Sequence, residues 1–240
     1  MLLGFKEYEA QARHLAEALG LPYEGVAVHH FPDGECKVSL PGKLPAHVVF
    51  CRSLDHPNDK LIQLLLAAIN ARELGARRLT LVTPYLCYMR QDKAFAVGEA
   101  ISQRIIGRFL AELFDDVITV DPHLHRIHAL ADAVPATHAV ALSATAAMRD
   151  FLHRFHKARP ESHANTILLG PDSESEQWVR SLAEADGLTY GVARKERMGD
   201  RKIRITLPDL DLAAKAVVLV DDVISSGETI AIAAQACLQS

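Results

Sequence analysis

Val217-Val218-Leu219-Val220-Asp221-Asp222-Val223-Ile224-Ser225-Ser226-Gly227-Glu228-Thr229 reads as a buried strand that ends in two carboxylates. A short loop of small hydroxyl residues and glycine follows, and then a helix. A continuous apolar strand of this kind belongs to a parallel sheet covered on both faces. The backbone N–H groups of such a loop, with the helix N-terminus behind them, form a cradle for phosphate. The two acids cannot hold phosphate, but they suit sugar hydroxyls, which donate hydrogen bonds. The alternative reading is an ordinary strand–helix turn capped by Asp or Ser.

Working outward, the same rhythm of apolar strand and amphipathic helix recurs along the chain. Helices are expected at 6–19, 59–74 (N-capped by Asn58 or Asp59 and stopped by Gly75), 99–114, 145–155, 176–185 and from Thr229 onward. Strands are expected at 47–51, 79–83, 117–120, 166–169, 188–192 and 216–220, with a half-exposed strand over 202–207 where Ile203, Ile205 and Leu207 alternate with polar residues. This is an α/β pattern with mainly parallel sheets flanked by helices. The rhythm restarts after Ala133–Ala144, so two units are expected, 1–140 and 141–240. The last helix has no strand after it, from which the second unit is expected to be incomplete.

Composition narrows the function classes. The chain has 240 residues, is 49% hydrophobic and 23% charged, and carries a formal net charge of −4. It is long enough to bury one large core or two smaller ones. No stretch approaches the roughly 18 apolar residues of a membrane span, and Lys6 and Glu7 place charge too early for a secretory signal. Interleaved charges of both signs argue against a nucleic-acid footprint. Cys36, Cys51, Cys87 and Cys237 form no CxxC pair, which argues against structural zinc or a disulfide framework and fits a reducing cytoplasm. His125 and His128 follow His123 at spacings that invite a metal reading, but no cysteine joins them. Trp178 lies on a helical face and reads as packing.

Ligands of doubly wound sheets bind beyond the carboxyl ends of the strands. Successive strands here deliver Arg52-Ser53, Arg90-Gln91-Asp92, Asp121-Pro122-His123, Asp172, Arg194-Lys195-Glu196-Arg197 and Asp221-Asp222. So many charged or metal-capable groups on one kind of edge point to an anionic substrate handled with a metal ion.

The Asp221–Thr229 loop resembles the phosphoribosyl-pyrophosphate signature of type I phosphoribosyltransferases and of ribose-phosphate diphosphokinases (PRPP synthetases). Other segments favour the second family, in its archaeal-like form. Phe31-Pro32-Asp33-Gly34-Glu35 resembles its adenine-reading segment, contributed by a neighbouring subunit. Pro57-Asn58-Asp59 opening a Leu-rich helix, Thr83 to Lys93, Gly98 to Ser102, and Val117 to His123 are similar to further family segments. Lys195-Glu196-Arg197 resembles the start of its catalytic flexible loop. The resemblance runs in order from about Phe31 to Thr229.

That resemblance implies two phosphoribosyltransferase-like domains and transfer of the diphosphoryl group of ATP to the 1-hydroxyl of ribose 5-phosphate. It implies Lys195 and Arg197 as catalytic cations. Phe31, Asp33, Glu35, Arg90, Gln91 and Asp92 would lie on the ATP side. Asp221 and Asp222 would hold the ribose hydroxyls, and Ser225, Ser226, Gly227 and Thr229 the 5-phosphate. His123 and Asp172 would bind Mg2+. A cytoplasmic homo-oligomer, dimer or higher, is implied by the shared adenine segment. Departures from the family pattern are Ser173-Glu174 where glycines are usual, Glu228 beside the phosphate loop, and Phe95 where some members carry an acid. They leave open a weakened enzyme or a non-catalytic regulatory relative, and a plain phosphoribosyltransferase stays as the other alternative. Phe31 is also open to a core role, Asp121-Pro122-His123 to a capping role, and Lys195–Arg197 to a charged surface hairpin.

Overall fold

The computed structural model describes residues 1–124, 126–159, 165–197 and 203–240. The chain divides into two compact units, Met1–Leu142 and Ser143–Ser240.

The first unit contains β1 (Leu2–Phe5), α1 (Glu9–Ala18), β2 (Tyr23–His30), β3 (Cys36–Ser39), β4 (His47–Cys51), α2 (Pro57–Glu73), β5 (Arg78–Thr83), α3 (Ser102–Leu113), β6 (Asp116–Val120), α4 (Leu130–Ala133) and β7 (His138–Leu142). Among the described residues these strands form a seven-stranded sheet in the order β3-β2-β1-β4-β5-β6-β7. All pairs are parallel except the β2–β3 hairpin.

Side chains one apart on a strand point to opposite faces. Leu3 and Phe5 of β1 and Val48 and Phe50 of β4 accordingly join the core built with Leu64 and Ala68 of α2. Leu2, Val49 and Cys51 form a second core with Ala12 and Ala16 of α1. Helices therefore cover both faces, as continuous apolar strands require.

The second unit contains α5 (Thr145–Ala158), β8 (Thr166–Gly170), α6 (Glu176–Asp186), β9 (Thr189–Val192), β10 (Arg194–Arg197), β11 (Ile203–Thr206), β12 (Ala216–Leu219) and α7 (Glu228–Leu238). Strands β12-β8-β9 make a parallel sheet, and β10 pairs with β11 antiparallel. Leu152, Leu168, Trp178, Val179, Leu182 and Val220 form its core, so Trp178 is a packing residue.

Several local expectations are corrected. The segment 133–144, read as the boundary, holds β7, the last strand of the first sheet, and the first unit ends with it. The stretch read as one helix from Lys6 opens with a 3-10 turn, Lys6–Tyr8, and becomes α-helical only at Glu9. Helix α2 starts at Pro57, with His56 in left-handed conformation before it and no side-chain cap from Asn58 or Asp59. Proline at the first helical position lacks only an N–H that would be unpaired anyway. Helix α3 starts at Ser102, because Glu99 closes the preceding loop by accepting from the N–H groups of Phe95 and Ala96.

Candidate functional site

Strand register decides what meets at the rim of the second unit. Leu219 of β12 pairs with Leu169 of β8, and Gly170 pairs with Val192 of β9. The pairing continues past the strand ends: Val220 N–H donates to the Leu169 carbonyl at 3.0 Å and Ala193 N–H to the Gly170 carbonyl at 2.8 Å. The residues that follow, Asp221-Asp222, Asp172 and Lys195, thus leave the sheet at the carboxyl ends of adjacent strands.

Gly170 is needed there because a Cβ would lie 2.3 Å from Ser175 Oγ. The chain turns sharply beyond it. Asp172 Oδ1 accepts from Glu174 N–H at 3.0 Å, and Ser175 Oγ–H donates to the Asp172 carbonyl at 2.6 Å. Ser173 and Glu174, the departures from the glycine pattern, are absorbed into this 3-10 turn, Ser173–Ser175.

Lys195 links the rim. Its Nζ donates to Thr229 Oγ1 at 3.1 Å and lies 3.5 Å from Asp172 Oδ2, with the side chain largely covered. β10 and β11 form a hairpin pair, but Lys195 is turned to the site and not to solvent. Arg197 is placed in β10 by its backbone, and its side chain lies outside what is described, as do residues 198–202 and His125.

Asp221, Asp222 and Asp172 act on one another here, and Lys195 pairs with Asp172. Burial pushes the Asp221 carboxyl up to about 7, helped by a hydrogen bond with Asp222 and by the charges of Asp222 and Asp172. Like charges at short range cannot all ionise, so a proton is retained near neutrality. Such a pair accepts hydroxyl donors readily, since each donor relieves the crowding. Asp222 N–H donates to Asp221 Oδ1 at 3.0 Å, holding the two residues in one turn.

Ser225 and Ser226 are exposed, and Gly227 takes φ +79°, a left-handed conformation that favours glycine. Glu228 heads α7 and is exposed, while Thr229 is half-buried.

In the first unit, Phe31, Asp33 and Glu35 stand on the tip of the β2–β3 hairpin. Phe31 N–H donates to the Glu35 carbonyl at 2.8 Å, and Asp33 Oδ1 accepts from Glu35 N–H at 3.1 Å. Gly34 has φ +94°. All three side chains are exposed, Phe31 to 40% with an edge-on contact to the His29 ring, so Phe31 is not a core residue.

Arg90 is exposed and Gln91 half-buried on the loop after β5. Asp92 differs from them: its carboxylate is buried and paired with Arg126 at 2.6 Å. His123 is half-buried on the loop after β6.

Arg52 overturns one part of the strand-end reading. It is buried, donates to Glu7 at 2.6 Å and to Gln63 at 2.5 Å, and lies over the Phe5 ring. It is a scaffold residue. Arg126 was missed, because its partner lies 34 residues away and no local pattern marks the pair.

The donor chemistry suits a hard divalent cation. Mg2+ is commonly held through one or two carboxylates plus substrate phosphates and retains waters. Asp172 supplies such a carboxylate on the rim, beside a lysine that balances its charge. Among the described residues no three His, Cys, Asp or Glu side chains form a cage of their own. His123 belongs to the first unit and Asp172 to the second.

Comparison with known proteins adds independent findings. A family model described as the N-terminal domain of ribose phosphate pyrophosphokinase matches residues 1–113. The chain is 32% identical over 237 residues to a ribose-phosphate pyrophosphokinase of Methanopyrus kandleri, covering 98% of this chain and 78% of that one. It is 34% identical over 225 residues to the Saccharolobus solfataricus protein of the same name, covering 90% and 72%. The crystal structure of phosphoribosylpyrophosphate synthetase from Mycobacterium smegmatis superposes with a TM-score of 0.79 at 22% identity, over 100% of this chain and 76% of that one, a likeness of fold.

Proposed function

Because the chain belongs to the ribose-phosphate pyrophosphokinase family, we propose that it transfers the diphosphoryl group of ATP to the 1-hydroxyl of ribose 5-phosphate. In that reaction a bond forms between the sugar O1 and the β-phosphorus. The bond from the β-phosphorus to the bridging oxygen of the α-phosphate breaks, AMP leaves, and the hydroxyl proton passes to solvent. The observation that carries the reading is Lys195 Nζ, which reaches both Thr229 of the phosphate loop and Asp172.

Transfer between two polyanions needs alignment and charge neutralisation more than covalent help. Asp221 and Asp222 accept from the ribose 2- and 3-hydroxyls. Ser225, Ser226, Gly227 and Thr229 wrap the 5-phosphate at the start of α7, where backbone N–H groups are free of intrahelical partners. Lys195 follows the charge that develops on the transferring group, and Arg197 is assigned the same role. Arg90 and Gln91 contact ATP. Phe31, Asp33 and Glu35, exposed on a hairpin tip, serve the adenine site of a second copy, so the working state is a dimer or larger homo-oligomer. Asp172 in the second unit and His123 in the first are each assigned as a candidate Mg2+ ligand, and Mg2+ would neutralise phosphate charge. Free cysteines agree with a cytoplasmic setting.

The test is AMP formation from ATP and Mg2+ with and without ribose 5-phosphate. AMP that requires the sugar phosphate is expected. Consumption of phosphoribosyl pyrophosphate only when a nucleobase is supplied would replace this reading with a phosphoribosyltransferase. Nucleotide binding with no turnover would replace it with a regulatory relative.

A further inference from the structure

We infer that Arg126 is a positioning residue: through Asp92 it sets the loop that presents Arg90 and Gln91. The inference rests on the proposed ATP role of that loop. Asp92 lies between β5 and α3 and its side chain is only 2% exposed, whereas the Arg126 side chain, on the β6–α4 loop, is 55% exposed. Arg126 Nη1 donates to Asp92 Oδ1 at 2.6 Å. The other oxygen, Oδ2, is buried with no hydrogen-bond partner among the described residues.

A buried carboxylate with one unsatisfied oxygen depends heavily on the cation it has. Removing that cation leaves an uncompensated charge, and the cheapest response is for the loop to move Asp92 toward water. Arg90 and Gln91 precede it directly and would move with it. The loop's other anchors hold the residues around Asp92, Gln91 through Ser102 Oγ and Gln103 N–H among them, and at the Asp92 carboxylate the partner among the described residues is Arg126. Gln103 of α3 donates its side-chain amide to the Met89 carbonyl at 3.1 Å and its N–H to the Gln91 carbonyl at 3.2 Å, and beyond Asp92 the chain is exposed. Arg126 lies three residues past His123, so the pair also ties the loop bearing the candidate metal ligand to the loop bearing the candidate nucleotide contacts.

The test compares Arg126→Ala, Arg126→Lys, Asp92→Asn and the Arg126→Ala/Asp92→Asn double variant. Arg126→Ala is expected to raise KM for ATP about tenfold while KM for ribose 5-phosphate stays within about twofold. Arg126→Lys, which keeps a cation on Asp92, recovers most of the loss. The double variant is no worse than Asp92→Asn alone, because Arg126 acts through that carboxylate. Additive losses would mean that Arg126 meets ATP itself and would overturn the inference, as would equal changes in both KM values. Hydrogen exchange on the ligand-free protein is read in parallel: Arg126→Ala should speed exchange at residues 89–92, and Arg126→Lys should restore it. If the wild-type chain makes no AMP, the family reaction fails, and unchanged exchange in Arg126→Ala would separately sink the positioning role.

Discussion

Asp116 and Asp221 both stand at an end of a parallel strand, yet they are opposites. Asp116 opens β6, on the edge away from the carboxyl strand ends. Its oxygens accept from Arg78 Nε and Nη2 and from Thr80 Oγ1, and His138 Nδ1 lies at 2.8 Å. Hydrogen bonds from Arg78 come first among the causes that hold its carboxyl well below the usual range, against an opposing effect of burial. Asp221 lies beyond the end of β12, where burial and two neighbouring acids push it up to about 7. One carboxylate is surrounded by donors and the other by its own kind. A satisfied acid braces a sheet. A crowded one costs stability, and perturbed groups of this kind concentrate at functional sites.

The contrast can be broken at either end. Its largest lever is Lys195, which partly neutralises the crowded rim. Lys195→Ala is expected to lower turnover about 1,000-fold with ATP affinity little changed, as for loss of a group that acts on transition-state charge. AMP formation and nucleotide titration read the two quantities, and equal loss of both would remove its special role.

Next is Asp116→Asn, which strips the brace. The first unit should lose about 2 kcal/mol, a value kept modest because Arg78 is half exposed, while turnover per folded molecule stays unchanged. Denaturant unfolding at pH 7 measures it. Asp222→Asn is smaller: KM for ribose 5-phosphate should rise about tenfold and KM for ATP about twofold or less. The reverse ranking would reassign the pair.

The smallest effect is one of pH, and its sign differs between the two aspartates. The carboxyl of Asp116 is lowered on folding, so its stabilisation is present above the unfolded value near 4 and fades as pH falls toward the folded one. The carboxyl of Asp221 is raised, so the folded unit holds a proton the unfolded chain gives up; stability is full below about pH 4 and declines as pH rises through about 7. Asp221→Asn should therefore raise the melting transition of the second unit by about 2–4 °C above pH 7 and leave it unchanged near pH 4. A scan of that transition against pH distinguishes the cases.

Much of this layout was legible in the residues themselves. The apolar runs 166–169 and 216–220 announce buried strands, and the strand-end rule picks out Asp172, Lys195 and Asp221-Asp222, which do meet. What was not legible has physical reasons. Leu2–Phe5 is a four-residue strand with no turn residues to bound it, and it merges with the helical pattern that follows. Tyr23–His30 leaves most of its side chains outside the core, so its alternation is weak. Strand β7 lies at the sheet edge with mostly exposed residues and reads as a linker. The pairings of Arg52 with Glu7 and of Asp92 with Arg126 were not legible because the partners are 45 and 34 residues distant. Charge at a strand end marks a site only when no cation or acid from elsewhere has already claimed it.

The place of β1, between β2 and β4, carries a cost in time. Leu2, Leu3 and Phe5 are fully enclosed in the finished protein, yet they are synthesised before either flanking strand. The later flank is complete only when Cys51 has been joined, about 50 residues on, which at cellular elongation speeds is roughly 3–10 s. Throughout that interval these greasy side chains have no permanent shelter, and a newborn chain of this protein is at its most vulnerable to sticking to its neighbours.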